Sequence, residues 1–212
     1  MTTTRLVVWR HGNTDWNAAG RVQGQTDVPL NALGEQQAVD AAELLVRLRP
    51  GALFSSDLRR AADTAAALAA LTGLSVRRDE RLRERHFGAW QGLTMAEVAE
   101  TRPEEHAAWK AGADVVGGGV ETLDDLAKRV GDALQAAVDA VPAGGTVVVA
   151  THGGAARHGA GHLLGWPREQ LRTLRALQNC HWSELSYDDA RGWQLAAYNV
   201  GPFADRPAPS SL

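Results

Sequence analysis

The stretch Leu6-Val7-Val8-Trp9-Arg10-His11-Gly12-Asn13-Thr14 decides the reading of this 212-residue chain. Its apolar, β-branched first half is the pattern of a buried strand. The strand ends on arginine, histidine and glycine, so it delivers two polar side chains to the rim of a sheet, where open α/β sheets bind ligands. Gly12 is expected to let the backbone turn sharply and a ligand come close. Arg10 carries a fixed charge on a planar fork matched to phosphate oxygens, and the neutral imidazole of His11 is a good nucleophile. Taken alone, the triplet is weak evidence, and a strand end with an incidental Arg-His pair is the simpler account. The rest of the chain changes that.

A second stretch repeats the arrangement. Thr146 to Ala150 reads as the strongest strand of the chain, and Thr151-His152-Gly153-Gly154 ends it. In a parallel sheet both histidines emerge at the same edge, the edge where sites form. Between these strands, Asn31 is placed to cap a helix from about Ala32 to Arg49, and Ala52 to Ser55 reads as a short strand. Asp57 is expected to cap an alanine-rich helix running to Thr72, with Gly73 closing it. Ser75 to Arg78 is a weaker strand. Asp15 to Pro29 is a long polar loop, and loops of that length are often functional. Asp79 to Gly92 is charged, aromatic and irregular. Thr94 to Glu97 has the capping-box pattern, a further helix follows Pro103, and Thr122 with Asp125 opens a long helix ending near Val141. Ala155 to Leu164 is helical, and Cys180–Tyr187 with Trp193–Asn199 forms a hairpin. Alternating strands and helices imply a three-layer α/β/α sandwich with a mostly parallel central sheet and an antiparallel edge strand. One domain is expected over residues 1–201, with 202–212 as a flexible tail.

Composition bounds the function. A formal net charge of −3 gives no global basic footprint for nucleic acid, so an anionic ligand has to meet a local cluster of cations. The single cysteine, Cys180, excludes an intramolecular disulfide and suits a reducing cytoplasm. No apolar run reaches membrane-spanning length and no signal-peptide core is evident at the N-terminus, so a cytoplasmic location is expected. His158 and His162 stand one helical turn apart, a spacing that can hold a metal, but no third ligand accompanies them and they read as surface histidines of a helix. Trp90, Trp109, Trp166, Trp182 and Trp193 read as core or cavity-wall residues.

The ordered set Arg10-His11-Gly12, Asn17, Gly20-Arg21-Val22-Gln23-Gly24, Asp27-Val28-Pro29-Leu30, Ser55 to Arg60, Ala62 to Ala65, Leu82-Arg83-Glu84, Gly88 to Gly92 and Thr151 to Gly154 resembles the histidine phosphatase (phosphoglycerate mutase-like) superfamily. The resemblance spans roughly residues 5 to 199. It implies that His11 attacks phosphorus and carries a transient phosphohistidine, that Arg10, Arg60 and His152 hold the phosphoryl oxygens, and that Glu84 is the general acid. It further implies substrate contacts from Arg10, Asn17, Gln23, Arg60, Glu84, His152 and Gly153, with neither metal nor cofactor. These residue types suit the chemistry, because phosphoryl transfer asks mostly for positioning and for positive charge opposite the equatorial oxygens. For single residues a plainer account stands beside this one. Arg60 follows Arg59 in a helix where a solvated arginine is common, and Glu84, among Arg81, Arg83 and Arg85, could form an ordinary surface ion pair. Asn17 and Gln23 could merely brace loops. Asn13 departs from the Glu or Gln common after the RHG triplet.

The expected activity is a metal-independent phosphomonoesterase acting on a small phosphorylated metabolite. Glucosyl-3-phosphoglycerate is the first candidate, with phosphoserine and α-ribazole phosphate as alternatives. A phosphomutase and a non-catalytic phospholigand-binding module are the alternatives. The mutase branch carries insertions that this compact chain lacks, and binding alone would need neither a nucleophile nor an acid. Neither a nucleic acid nor a membrane is expected as partner, and a homodimer is left open.

Overall fold

The computed structural model describes residues 3–202 except 116, so the tail expected from residue 202 onward lies almost wholly outside the described residues. The strands are β1 (Thr4–Arg10), β2 (Ala52–Ser55), β3 (Val76–Arg78), β4 (Thr146–Thr151), β5 (Trp182–Asp188) and β6 (Gly192–Val200). They form one sheet in the order β3-β2-β4-β1-β5-β6. The first four pair in parallel, and the β5–β6 hairpin runs antiparallel beside β1. β1 and β4 hold the centre because their valine- and leucine-rich runs can be buried on both faces.

The helices are α1 (Asp15–Ala18), α2 (Ala32–Leu45), α3 (Arg59–Thr72), α4 (Met95–Thr101), α5 (Pro103–Lys110), α6 (Leu123–Val138), α7 (Gly153–Leu163) and α8 (Arg168–Leu171). Side chains alternate along a strand, so β1 feeds two cores. Leu6 and Val8, with Val147 and Val149, pack under Leu126, Val130 and Leu134 of α6 and the alanines of α7. Val7 and Trp9, with Val148 and Ala150, pack under the alanines of α2 and under Ala65 and Leu68 of α3. The result is the expected three-layer sandwich. A third, smaller cluster joins Trp90, Val98, Val115 and Val120 with Val22, Phe87 and Met95, and forms a roof beside the ends of the central strands. No helix among the described residues is long and apolar enough to cross a membrane.

Several local expectations are corrected. Asp57 does not cap α3: its carboxylate is drawn into an ion pair with Arg83, and Leu58 stands at the cap position without a side-chain bond. Asp27 does the work from 32 residues away, accepting from the Arg59 backbone N–H at 2.7 Å. α2 ends at Leu45 and tightens into a 3-10 turn, Val46–Leu48, before Arg49 takes a left-handed conformation at φ 52°. α6 stops at Val138, short of Val141, and α7 starts at Gly153, earlier than Ala155. The Asp15–Pro29 stretch contains α1, because Thr14 and Asn17 form a reciprocal capping box at its start. Gly12 serves neither a sharp turn nor, through its missing side chain, a ligand. A Cβ there would run into the backbone oxygen of Gly34, so the glycine lets α2 lie against the end of β1.

Candidate active site

The register of the two central strands builds the site. Arg10 pairs with Thr151 across β1 and β4, so the next residue of each chain, His11 and His152, leaves the sheet at the same point. Their rings meet edge to face with centroids 5.2 Å apart. Both are buried. The Nδ1 of His11 lies 2.7 Å from the carbonyl oxygen of Gly12. A carbonyl can only accept, so Nδ1 carries the hydrogen and Nε2 keeps its lone pair. Burial, then the positive charges of Arg60 and Arg10, hold the His11 pKa well below the usual histidine range. The imidazole is therefore neutral at the nitrogen that would attack.

Arg60 enters from the first turn of α3 and is fully buried. Its Nε–H donates to His152 Nδ1 at 3.1 Å, and its two terminal nitrogens donate to the carbonyls of Thr26 and Gly24 at 2.8 and 2.7 Å. Burial brings its pKa down to about 10, which leaves the guanidinium charged at neutral pH. Because Arg60 donates to Nδ1 of His152, the hydrogen of that ring sits on Nε2 and is given to Ser56 Oγ at 2.9 Å. Both nitrogens of His152 are thus engaged by protein groups. Arg10 donates to the Leu177 carbonyl through one terminal nitrogen, while its buried Nε has no partner.

Glu84 makes no ion pair among the described residues. Arg81 binds Asp79, Arg83 binds Asp57 and Arg85 binds Asp114. Its carboxylate instead accepts from the backbone N–H groups of Arg85, Gly154 and Ala155 at 2.8, 2.9 and 2.9 Å. Two of those donors belong to the first turn of α7, whose cap residue His152 supplies no side-chain bond. A Cβ on Gly154 would stand 2.6 Å from Glu84 Oε1, so this glycine is what admits the carboxylate. The segment is held from behind, where Arg129 donates to the carbonyls of Arg81, Arg83 and Glu84 and Thr151 Oγ1 donates to that of Leu82.

A cavity of about 300 Å³ opens onto this cluster. Arg10, His11, Asn17, Gln23, Arg60, Glu84 and Gly153 all line it, so the structure brings together every residue singled out in the sequence except His152. His152 lies behind the wall, fully buried against Arg60 and His11. Asn17 faces the cavity while its Oδ1 closes the α1 capping box, and Gln23 keeps a buried Oε1 without a partner. Phe87, Trp90, Met95 and Trp109 form an apolar wall from the roof. Trp90 is buried while Trp109, 42% exposed, lies at the rim. Of the other tryptophans, Trp182 is buried and Trp166 and Trp193 are half-buried.

Sequence reasoning passed over Asn179, whose Nδ2 donates to the carbonyls of His11 and Gly12 at 3.0 and 3.1 Å and to Asn17 Oδ1 at 3.3 Å. It also passed over Arg157 on the cavity wall. Both lie in ordinary-looking loop or helix sequence, and only contact across the fold marks them. His158 is a correction of another kind. It is buried rather than on the helix surface, and burial pushes its pKa down to about 4.

These histidines carry a pH signature of the fold. Unfolded histidine titrates near 6.5, and in the native chain His11, His152 and His158 all titrate below that. Between the native and unfolded pKa values the unfolded chain binds protons that the native chain refuses. Stability is therefore complete above about pH 6.5 and falls as the pH drops, by up to about 1.4 kcal/mol per pH unit for each histidine. Thermal melts from pH 7.5 to 4.5 should show a falling midpoint, and His158→Gln should reduce the slope. A midpoint indifferent to pH in that window contradicts the assignment.

The comparisons with known proteins agree with this geometry. The family model described as "Histidine phosphatase superfamily (branch 1)" matches residues 6–201. Glucosyl-3-phosphoglycerate phosphatase of Mycobacterium tuberculosis is 40% identical over 94% of this chain and 96% of its own length. The metal-independent phosphoserine phosphatase of Arabidopsis thaliana is 44% identical over 73% of this chain and 66% of its own. Among solved structures, mycobacterial glucosyl-3-phosphoglycerate phosphatase in complex with VO3 is similar at a TM-score of 0.85 and 40% identity, covering 93% of this chain and 99% of that one. A match along nearly the whole sequence, with the arginine–histidine cluster at the ends of two central parallel strands, decides the family: the chain belongs to the histidine phosphatase superfamily.

Proposed function

We propose that this histidine phosphatase hydrolyses phosphomonoesters of small metabolites through a phosphohistidine on His11, with glucosyl-3-phosphoglycerate as the leading substrate. The observation that carries the reading is the His11 imidazole, neutral, with Nδ1 tied to the Gly12 carbonyl, in a cavity shared with two arginines. In the first step the Nε2 lone pair forms a bond to phosphorus while the bond to the leaving oxygen breaks. Arg10 and Arg60 face the charge that spreads over the equatorial oxygens. His152 acts from the second layer, fixing the Arg60 guanidinium through Nδ1 and the Ser56 hydroxyl through Nε2. Glu84 gives a proton to the leaving oxygen, then takes one from the water that attacks the phosphohistidine, releasing inorganic phosphate and restoring His11.

The choice of leading substrate rests on the mycobacterial relatives and on the roof. Phe87 and Trp109 offer flat apolar faces of the kind that pack against the carbon face of a sugar. A cytoplasmic setting suits such a metabolite and the buried free cysteine. The test is a panel of glucosyl-3-phosphoglycerate, 3-phosphoglycerate, phosphoserine and α-ribazole phosphate, scored by kcat/KM with and without a chelator. Glucosyl-3-phosphoglycerate should rank first, with turnover indifferent to the chelator. A preference for phosphoserine or α-ribazole phosphate would reassign the substrate. Isomerised product that needs added bisphosphoglycerate would make the enzyme a mutase, and binding with no phosphate release would end the catalytic reading.

A further inference from the structure

Three buried polar side-chain atoms among the described residues have no hydrogen-bond partner: Arg10 Nε, Gln23 Oε1 and Arg157 Nε. Buried groups of this kind are rarely left unpaired, and each calls for an explanation. All three residues line the same cavity of about 300 Å³. Arg10 and Gln23 belong to the phosphoryl end. Arg157 does not: it lies on α7, one turn beyond Gly153 and Gly154, on the face that these glycines share.

The other cation on that wall is already occupied. Arg21 donates to the Gly92 carbonyl at 2.7 Å and pairs with Glu97 at 3.2 Å. Arg157 has no acceptor and no carboxylate partner among the described residues. It also lines the adjoining cavity, beside Trp109 and Arg172, and so stands at the junction between the two spaces. A half-buried guanidinium held without a counter-charge in a ligand cavity is poised for an anion that arrives with the ligand. Its planar fork suits a carboxylate bound through two oxygens.

We propose that Arg157 reads a second anion on the substrate, and that the preferred class is phosphomonoesters whose leaving group carries a carboxylate. The phosphoryl group lies against His11, Arg10 and Arg60. The carboxylate lies against Arg157, and any larger neutral substituent runs past it along Trp109. This deepens the phosphatase reading above and rests on it for the position of the phosphoryl group.

The matched probes are 3-phosphoglycerate and glycerol 3-phosphate, which differ only in a carboxylate against a hydroxymethyl group. The wild-type protein should favour 3-phosphoglycerate in kcat/KM. Arg157→Met, which keeps the stem and removes the charge, should reduce that preference at least tenfold. Arg157→Lys should restore part of it, since an ammonium keeps the charge and loses the fork. Melting temperatures establish that both variants are folded. A preference ratio unchanged within threefold in both variants overturns the inference. If the wild type releases phosphate from neither probe nor from p-nitrophenyl phosphate, the catalytic reading fails. The role of Arg157 is then decided by calorimetric binding of the same two probes to wild type and Arg157→Met, where an equal loss for both overturns it.

Discussion

His11→Ala should lower kcat by at least about 10⁴-fold on every substrate the protein accepts, as removal of a nucleophile does elsewhere. The argument is geometric. Nδ1 is committed to the Gly12 carbonyl, so Nε2 alone faces the cavity, and burial beside Arg10 and Arg60 keeps it unprotonated. Wild-type protein quenched during turnover should retain a phosphoryl group that is labile in acid and stable in base, the behaviour of a phosphoramidate. The variant should retain none. Turnover within tenfold of wild type in His11→Ala would rule out the covalent mechanism, whatever the fate of the substrate assignment. Because His11 is a small part of the core and lies at a cavity wall, the variant should still melt cooperatively.

Arg60→Ala should cost less turnover than His11→Ala but should also destabilise the fold. The guanidinium is fully buried and holds three acceptors: the Gly24 and Thr26 carbonyls and His152 Nδ1. Each buried acceptor left unpaired costs about 1–3 kcal/mol, so with some water entering the space a net loss of about 3 kcal/mol is expected. Loss of a preorganised donor to the phosphoryl oxygens lowers kcat by a further factor of about 10² to 10³. Arg60→Lys restores a positive charge but cannot reach two diverging carbonyls and the imidazole together, so it should recover little of either quantity. Denaturant titration and kcat/KM measured on the same preparations separate the effects. A variant that keeps wild-type stability would show that the 24–26 loop is held by other bonds, and one that keeps activity within tenfold would remove Arg60 from the phosphoryl site.

Much of the site was legible because parallel strands impose a strict rule. Two stretches that end in His-Gly, if adjacent and parallel, must put both histidines at one edge, and the Arg10–Thr151 register does so. What the register does not specify is which residue faces the cavity and which supports from behind. His152 is fully buried, and its place behind Arg60 depends on α3, more than ninety residues upstream. Glu84 illustrates the same limit. Its three arginine neighbours in sequence suggest an ion pair, yet each has an acidic partner elsewhere, and the carboxylate goes to the open end of α7.

The local errors have a common cause. Asp57 has the right residue type and position for a helix cap, but a charge-assisted pair with Arg83 outcompetes it, and Asp27 from a distant loop takes the cap. Gly12 reads as a turn or ligand-contact glycine, and its true neighbour is the backbone of Gly34. The capping box at Thr94 and the simpler cap at Thr122 succeed because donor and acceptor are only three residues apart, even though Arg21 also reaches the Glu97 carboxylate.

By itself the sequence determined the order of the strands and main helices and the sheet class, and it singled out His11, Arg10 and Arg60, which the fold gathers at one cavity. Those depend on periodicity, on local capping and on an ordered set of motifs. Only the tertiary structure decided which carbonyls lock His11 and Arg60, why the Glu84 carboxylate meets the first turn of α7, and that Arg157 lines the cavity without a partner among the described residues. These are matters of which buried polar group finds which complement, and every candidate in the chain competes for each until the fold brings one within hydrogen-bond distance.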